Sequence, residues 1–348
     1  MRIIIDAMSG DKAPGEIVRG AVQAQREFAV DIVLVGQEQA VRAILAENGA
    51  EGDEHITIVN ATEIVDMHDD PSTAVRHKKD SSMAVALALL RDGGGDAVIS
   101  AGNTGALLSG ATLLIKRIRG IRRAAMAPVL PNGGKGALLI DCGANVDCTP
   151  EYLLQFAFMG SFYSRSVLGC ANPRVALLNI GTEDTKGGDL QKAAYALLKE
   201  AGEAGRVNFV GNVESSDVFS GGVDVVVTDG YSGNILLKTI EGTAKFMLGH
   251  MKAVLTTSKK AKLGAALVRD DLRALKKLMD PGEVGGTPFL GVKQPVLKAH
   301  GSSDARAICS AVRQAISFVE AGVTSEIEQN IEFMKLKPTQ GGTGNERV

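Results

Sequence analysis

The sequence predicts an α/β fold: a three-layer arrangement of mostly parallel sheet with helices on both faces. Two observations carry this. Short β-branched runs with no helical period, such as Val225-Val226-Val227-Thr228, recur along the chain and suit strands buried on both faces of a parallel sheet. Several of these runs close in a glycine-bearing turn followed by a helical pattern, the order that parallel crossovers need. The clearest unit covers 224–242, where the run breaks at Asp229-Gly230-Tyr231-Ser232-Gly233-Asn234 and a helical pattern opens at Ile235. A strand end meeting a helix start gathers unpaired N–H groups and the positive end of the helix dipole, a ready anion site. In open α/β sheets such loops collect the ligand.

Taken in order, residues 2–5 read as a first strand, ending in Asp6-Ala7-Met8-Ser9-Gly10-Asp11. A helix at 17–28, a strand at 31–35 closed by Gly36, a helix at 38–47 and a strand at 56–59 follow. Asp70-Pro71 breaks the chain before an apolar helix at 82–90 and Gly93-Gly94-Gly95. The strand at 97–100 leads into Ala101-Gly102-Asn103-Thr104-Gly105 and a small-residue helix to 115. Strands at 125–130 and 136–140 flank Pro131-Asn132-Gly133-Gly134, a hairpin-like turn.

The pattern then returns with new loops. Cys142-Gly143-Ala144-Asn145-Val146-Asp147 precedes a helix opened by Pro150. A strand at 175–178 leads into the 179–188 loop, and one at 207–210 into Gly211-Asn212-Val213-Glu214. Beyond the 224–242 unit lie a helical region over 234–279, a glycine-rich connector over 281–291 and a strand near 296–298. Ala299-His300-Gly301-Ser302-Ser303-Asp304 and a last helix over 305–334 complete the order. Residues 1–335 are expected to form one two-lobed catalytic unit with a helical protrusion near 245–280, and 336–348 a disordered tail.

With 348 residues, 45% hydrophobic, 22% charged and a formal net charge of -2, the chain can bury a large core. Near-neutral charge argues against a nucleic-acid partner. Glycine, 41 of 348 or about 12%, exceeds the usual value of roughly 7%. No apolar run approaches the roughly 18 residues of a spanning helix, and the N-terminal stretch is too short for a signal peptide. Cys142, Cys148, Cys170 and Cys309 lack metal or redox spacing, which points to reduced thiols in a cytosol.

The motifs DAMSGD from Asp6, SAGNTGA from Ser100, DCGANVD from Asp141, NIGTEDTKG from Asn179, TDGYSGN from Thr228 and KAHGSSD from Lys298 resemble, as an ordered set, one family. These are the bacterial phosphate acyltransferases, which convert acyl-carrier-protein thioesters to acyl phosphates. Ser9 stands where that family usually has a second glycine, and Cys142 where it has a small or β-branched apolar residue. The resemblance implies a fold like that of isopropylmalate dehydrogenases and phosphotransacetylases, a homodimer, and no metal or nucleotide cofactor. It also implies acyl carrier protein and inorganic phosphate as substrates, in the first step of phospholipid synthesis. The product would feed a membrane glycerol-3-phosphate acyltransferase.

The side chains suit that chemistry. Phosphate is already an anionic nucleophile, so the protein must hold a dianion beside a thioester carbonyl and stabilise the oxyanion that forms. Lys186 is the first choice of cation, against the plain role of a solvated loop lysine. His300 suits hydrogen bonding to phosphate or proton transfer to the leaving thiolate, against that of a packed structural histidine. Asn234 completes the catalytic set. Gly102, Asn103, Thr104, Asn179, Gly181, Gly230, Ser232, Gly233 and Ser302 are candidates to bind phosphate or acyl phosphate. The Asn and Thr side chains suit N-caps equally, each worth about 1 kcal/mol. Asp6, Asp141, Asn145 and Asp229 are supporting residues that orient Lys186 or cap helices, with a divalent-metal site on the aspartates as the sharper alternative. An apolar acyl channel should end near Asn103, Asn234 and His300.

Leu263, Leu267, Lys262 and Arg269 belong to a basic amphipathic stretch over 259–279. It suits peripheral contact with an anionic membrane or an acidic carrier protein, or a helix of the dimer. Three other functions compete: a phosphotransacetylase using coenzyme A thioesters, a metal- and nicotinamide-dependent dehydrogenase, and a non-catalytic carrier-protein scaffold at the membrane. The dehydrogenase would need an arginine group for its dicarboxylate substrate, and the sequence shows no convincing one.

Overall fold

The computed structural model describes residues 1–278 and 285–335. The last residue of the expected 234–279 helical region, the start of the 281–291 connector and the tail at 336–348 lie outside the described residues.

The first lobe is built on β1 (Arg2–Asp6), β2 (Asp31–Gly36), β3 (Ile56–Asn60), β4 (Ala97–Ser100), β5 (Ala125–Met126), β11 (Gly286–Leu290) and β12 (Val296–Ala299). Their order is β3-β2-β1-β4-β12-β11-β5, parallel except for β11, which runs antiparallel to both neighbours. Alternation explains why β1 is apolar throughout: Ile3 and Ile5 enter one buried cluster and Ile4 the other, on the opposite face. The second lobe holds β6 (Val129–Leu130), β7 (Ala137–Ile140), β8 (Arg174–Leu178), β9 (Asn208–Val213) and β10 (Val225–Val227), in the order β6-β7-β10-β8-β9. Leu138, Ile140, Val225 and Val227 share the cluster of Ile3 and Ile5, so one apolar core runs through both lobes. Helix α6 (Pro150–Ser166) is buried along most of its length and joins them.

Helices α1 (Gly15–Phe28), α2 (Glu38–Glu47), α3 (Ala74–His77), α4 (Ser82–Arg91), α5 (Thr104–Gly110) and α7 (Asp189–Glu203) cover the sheets. A single wide turn, Ala111–Ile115, extends α5.

Several boundaries differ from the sequence reading. The expected 125–130 strand is two: β5 pairs with β11 in the first sheet, while β6 pairs with β7 in the second, with Pro128 between them. β9 runs on through Gly211 past a register irregularity, where a loop was expected. Residues 286–290 form β11 rather than connector. The helix expected from 234 starts at Gly230 and is three helices: α8 (Gly230–Thr256), α9 (Lys259–Leu267) and α10 (Arg269–Leu278). Ser258 causes the first break, because its hydroxyl caps α9 by accepting the Ala261 N–H at 3.1 Å. The final helix divides into α11 (Ala305–Glu320) and α12 (Val323–Gln329) at Gly322, whose φ of 62 suits glycine.

Helices α9 and α10 project, with Leu263 66% and Leu267 80% exposed and with Lys262 and Arg269 exposed beside them. No helix among the described residues is long and apolar enough to cross a membrane.

Candidate active site

Loops at the carboxyl ends of β1, β4 and β12 interlock. Buried Asp6, ending β1, accepts the Ser100 hydroxyl at 2.6 Å, and the Ser100 oxygen accepts the Gly102 N–H at 3.1 Å. A Cβ at Gly102 would lie 2.9 Å from the Ser9 side chain, so the two loops touch. The Asp11 N–H donates to the Gly301 carbonyl at 2.8 Å. Ser9 Oγ and Ser303 Oγ lie buried in these loops without a hydrogen-bond partner, where buried polar groups ordinarily have one.

Lys298 stands in β12 and is only 9% exposed. Its ammonium donates to the Ala101 carbonyl at 3.2 Å and to the Ala299 carbonyl. Burial pulls its pKa down to about 8, and Lys238 pushes the same way against Asp6 and Asp11. His300 Nδ1 accepts the Ser302 N–H at 3.2 Å and lies 2.9 Å from the Ser302 hydroxyl. An accepting Nδ1 leaves the proton on Nε2. Burial also lowers the His300 pKa, opposed by Glu241 and Asp11, so the ring is neutral at pH 7.

The second lobe supplies a glycine-lined helix start. Asp141, fully buried after β7, accepts five N–H groups. Those of Met126 at 2.9 Å, Cys142 at 2.6 Å and Ala144 at 3.3 Å bond one oxygen. Both the backbone and side-chain N–H of Asn145 bond the other, at 2.6 and 3.0 Å. Burial raises its pKa to about 6 against those bonds, leaving a carboxylate at pH 7. Asp229 caps α8, accepting the Ser232 N–H at 2.8 Å and its hydroxyl at 2.9 Å. A Cβ at Gly233 would lie 2.0 Å from the Asp141 carbonyl oxygen, and one at Gly230 2.6 Å from that of Asn145. Only glycine allows the two loops this approach. The ideal Cβ site of Gly143 lies 3.6 Å from Asn234 Oδ1, so Asn234 sits on the 141–147 loop. Burial pushes the Cys142 thiol up to about 12, far from a thiolate nucleophile.

Helix α8 packs on the second lobe through Leu236, Leu237 and Ile240. Lys238, about one turn beyond Asn234 and ion-paired with Glu241 at 2.7 Å, acts electrostatically on Lys298, His300 and Cys142. Lys298 and His300 of the first lobe are thus within electrostatic reach of α8, the helix of the second lobe that begins at Gly230.

Other expected residues are placed differently. Lys186 is exposed after β8 and pairs with Glu183 at 3.9 Å. Asn179 closes that loop, its side chain accepting the Ile180 N–H at 2.8 Å and donating to the Lys186 carbonyl at 3.2 Å, while Gly181 packs beside the Lys186 stem. Asp6, Asp141 and Asp229 therefore do not orient Lys186; each holds its own loop. Among the described residues no group of three or more acidic, His or Cys side chains could hold a metal ion. Asn103 is an N-cap, accepting the Ala106 N–H at 3.1 Å and donating to the Met67 carbonyl at 3.2 Å, and Thr104 is the first residue of α5. Asn145 caps no helix. It ties Asp141 to the Ala124 carbonyl at 2.8 Å.

A cavity of about 430 Å³ opens against Ala144 and Asn145. It is not the apolar channel expected, because Arg76, Arg117 and Arg123 line it beside Val75, Leu108 and Leu113. The arginine group not evident in the sequence thus exists, assembled from separate stretches. Sequence reasoning also missed Lys298 and Lys238. A lysine inside the apolar run Val296-Leu297-Lys298-Ala299 was the available signal for the first.

Comparison with known proteins gives the family and the fold. A family model described as "Fatty acid synthesis protein" matches residues 1–326. A phosphate acyltransferase of Oceanobacillus iheyensis is 49% identical over 333 residues, 95% of this chain and 98% of that protein. Among solved structures, a phosphotransacetylase from Streptococcus pyogenes superposes with a TM-score of 0.60 at 19% identity, covering 92% of this chain and 94% of its own. A 4-hydroxythreonine-4-phosphate dehydrogenase from Klebsiella pneumoniae does so with a TM-score of 0.52 at 15% identity, covering 92% and 98%. These two likenesses show the fold.

Proposed function

Because the chain belongs to the phosphate acyltransferase family, we propose that it transfers a long-chain fatty acyl group from acyl carrier protein to inorganic phosphate, releasing acyl phosphate for phospholipid synthesis. The observation that carries this reading is buried Lys298 and neutral His300 within electrostatic reach of α8, beside two buried hydroxyls without partners. A cation, a neutral imidazole and free hydroxyls suit a phosphate dianion.

In this mechanism a hydrogen phosphate oxygen attacks the thioester carbon. The C–O bond forms, the carbonyl oxygen takes the electron pair as an oxyanion, and its return expels the thiolate. The proton of hydrogen phosphate ends on the thiol, so the step needs a relay and no net acid. His300, with Nε2–H free to donate, is the proposed relay. Lys298 and the dipole of α8 offset the dianion's charge, Asn234 donates to the oxyanion, and Ser302 holds the His300 ring. Lys186 is proposed as a second cation, reaching the site from the loop after β8. The enzyme works as a homodimer without metal or nucleotide. It lies in the cytoplasm, with α9 making transient contact at the inner face of the membrane.

The test is acyl phosphate formation, trapped as the hydroxamate, from long-chain acyl carrier protein and phosphate. Turnover with acyl coenzyme A but not with acyl carrier protein would favour the phosphotransacetylase-like reading. No acyl phosphate from any thioester would sink both.

A further inference from the structure

The arginine-lined cavity has no part in the chemistry above. Arg76 comes from α3, while Arg117 and Arg123 come from the stretch before β5. No Asp or Glu lines the cavity, and among the described residues none is ion-paired with these three guanidiniums. Arg123 lies over the Tyr152 ring, 5.6 Å from its centroid. Arg117 is bridged through its backbone to Val292. Three like charges gathered on one concave surface focus a field that selects an anion, and guanidinium is the cation that best matches phosphate oxygens.

Size and lining narrow the choice. At about 430 Å³ the space falls in the range of sites for ligand-sized molecules, more than a lone ion fills. Val75, Leu108 and Leu113 form an apolar wall, with the hydroxyls of Ser72, Ser109 and Thr112 between. Arg76 and Arg123 are exposed, so they mark the mouth. The lining also includes Ala144 and Asn145, next to Gly143, on which Asn234 sits. A cavity with guanidiniums at its mouth and the 144–145 loop in its wall suits an arm with an anion near its protein end and the reacting group at its tip.

We propose that this cavity receives the phosphodiester of a carrier protein's prosthetic arm. Arg76, Arg117 and Arg123 hold the anion while the thioester end passes Asn145 toward Gly143 and Asn234. The proposal rests on the reading of the donor as carrier-bound. The phosphate that is consumed belongs against the reacting carbonyl, and one small ion leaves most of this space empty.

The test compares Arg76→Gln, Arg117→Gln and the double variant on two donors, acyl carrier protein and acyl pantetheine, which lacks the phosphate. KM for acyl carrier protein should rise roughly tenfold per arginine, the effect of losing one charge-assisted contact. The kcat and the KM values for acyl pantetheine and for inorganic phosphate should stay within about twofold. Arg117→Lys should recover part of the loss. Equal losses on both donors, or a raised KM for phosphate, would overturn the assignment. Titration with phosphopantetheine and with decyl phosphate reads binding without turnover. Weaker phosphopantetheine binding by the double variant, with decyl phosphate unaffected, supports the site. Unchanged phosphopantetheine binding, or weakening of decyl phosphate alone, assigns the cavity away from the donor arm. If wild type makes no acyl phosphate yet binds phosphopantetheine and the double variant does not, the catalytic reading fails and this site stands. Melting curves of the Gln and Lys variants separate lost binding from lost folding.

Discussion

Replacing Lys298 by Met removes a charge from the interior of β12 while keeping a side chain of similar reach. Displacement of its pKa from 10.5 to about 8, at about 1.36 kcal/mol per tenfold change in proton affinity, sets about 3 kcal/mol against the charged form in the fold. Met escapes that cost. It also gives up two donations, to the Ala101 and Ala299 carbonyls, each worth about 1.5–3 kcal/mol for a charged donor. The donations, about 3–6 kcal/mol together, equal or exceed that relief, so Lys298→Met should be between about 0 and 3 kcal/mol less stable than wild type at pH 7. Breaking a buried ion pair would instead cost about 3–5 kcal/mol.

Turnover should respond quite differently, falling on the order of 10²–10³ if the ammonium faces phosphate. The pH dependence adds a second reading. Between about pH 8 and 10.5 the unfolded chain holds a proton on Lys298 that the folded chain has released. Wild-type stability therefore rises with pH across that window, by at most about 3 kcal/mol, and the variant lacks the rise. Wild-type activity moves the other way, falling as pH passes 8 and the charge is lost. Urea unfolding at several pH values, beside the acyl phosphate assay, measures both. A variant that loses 4 kcal/mol or more while its folded fraction turns over normally would make Lys298 a strut for the 101–105 loop.

Lys186→Ala should lose activity on the order of 10²–10³ with its melting temperature unchanged, because the side chain is exposed and pairs only loosely with Glu183; near-normal turnover at saturating phosphate would move the second cation elsewhere. Gly233→Ala puts a methyl 2.0 Å from a backbone oxygen, a clash no rotamer relieves, so differential scanning calorimetry should show at least about 3 kcal/mol of destabilisation. A wild-type melting curve would mean that the α8 start yields easily. Leu263→Glu with Leu267→Glu should release the protein from anionic vesicles in a flotation assay while soluble turnover persists, since both side chains project from α9. Unfolding or dissociation to monomers would instead make the stripe a packing surface.

Strands, their order along the chain and the loops that follow them were readable because each rests on local patterning. β1, β4 and β10 lie where their apolar runs lie. What pattern could not show is partnership across the chain. Residues 125–130 look like one strand, yet their two halves pair with strands of different sheets. Gly286–Leu290 reads as connector because its Gly and Pro weaken strand propensity, and pairing with β12 overrides that weakness. The helix at 230 begins earlier than hydrophobic periodicity suggests, because Asp229 caps it and its first turn sets Gly230 and Gly233 against the 141–147 loop. At the site, motifs found the glycines and His300 but favoured an exposed lysine over a buried one. Lys298 was hidden by its apolar neighbours, and the three arginines by separation along the chain.

The place of β12 between β4 and β11 sets a schedule for the chain as it is made. β4 leaves the ribosome soon after residue 100, but the strand that covers its free edge ends at residue 299. At roughly 5–20 residues per second, that edge waits roughly 10–40 s. Residues 129–227 can meanwhile close the second sheet, which needs no strand from outside that stretch. The first lobe cannot, so its open β4 edge is a surface for chaperones to shield and for neighbouring nascent chains to misuse. Lys298 and His300 emerge with that same closing strand and its loop. No shorter nascent chain therefore carries the complete site, and folding of the first lobe coincides with the arrival of its chemistry.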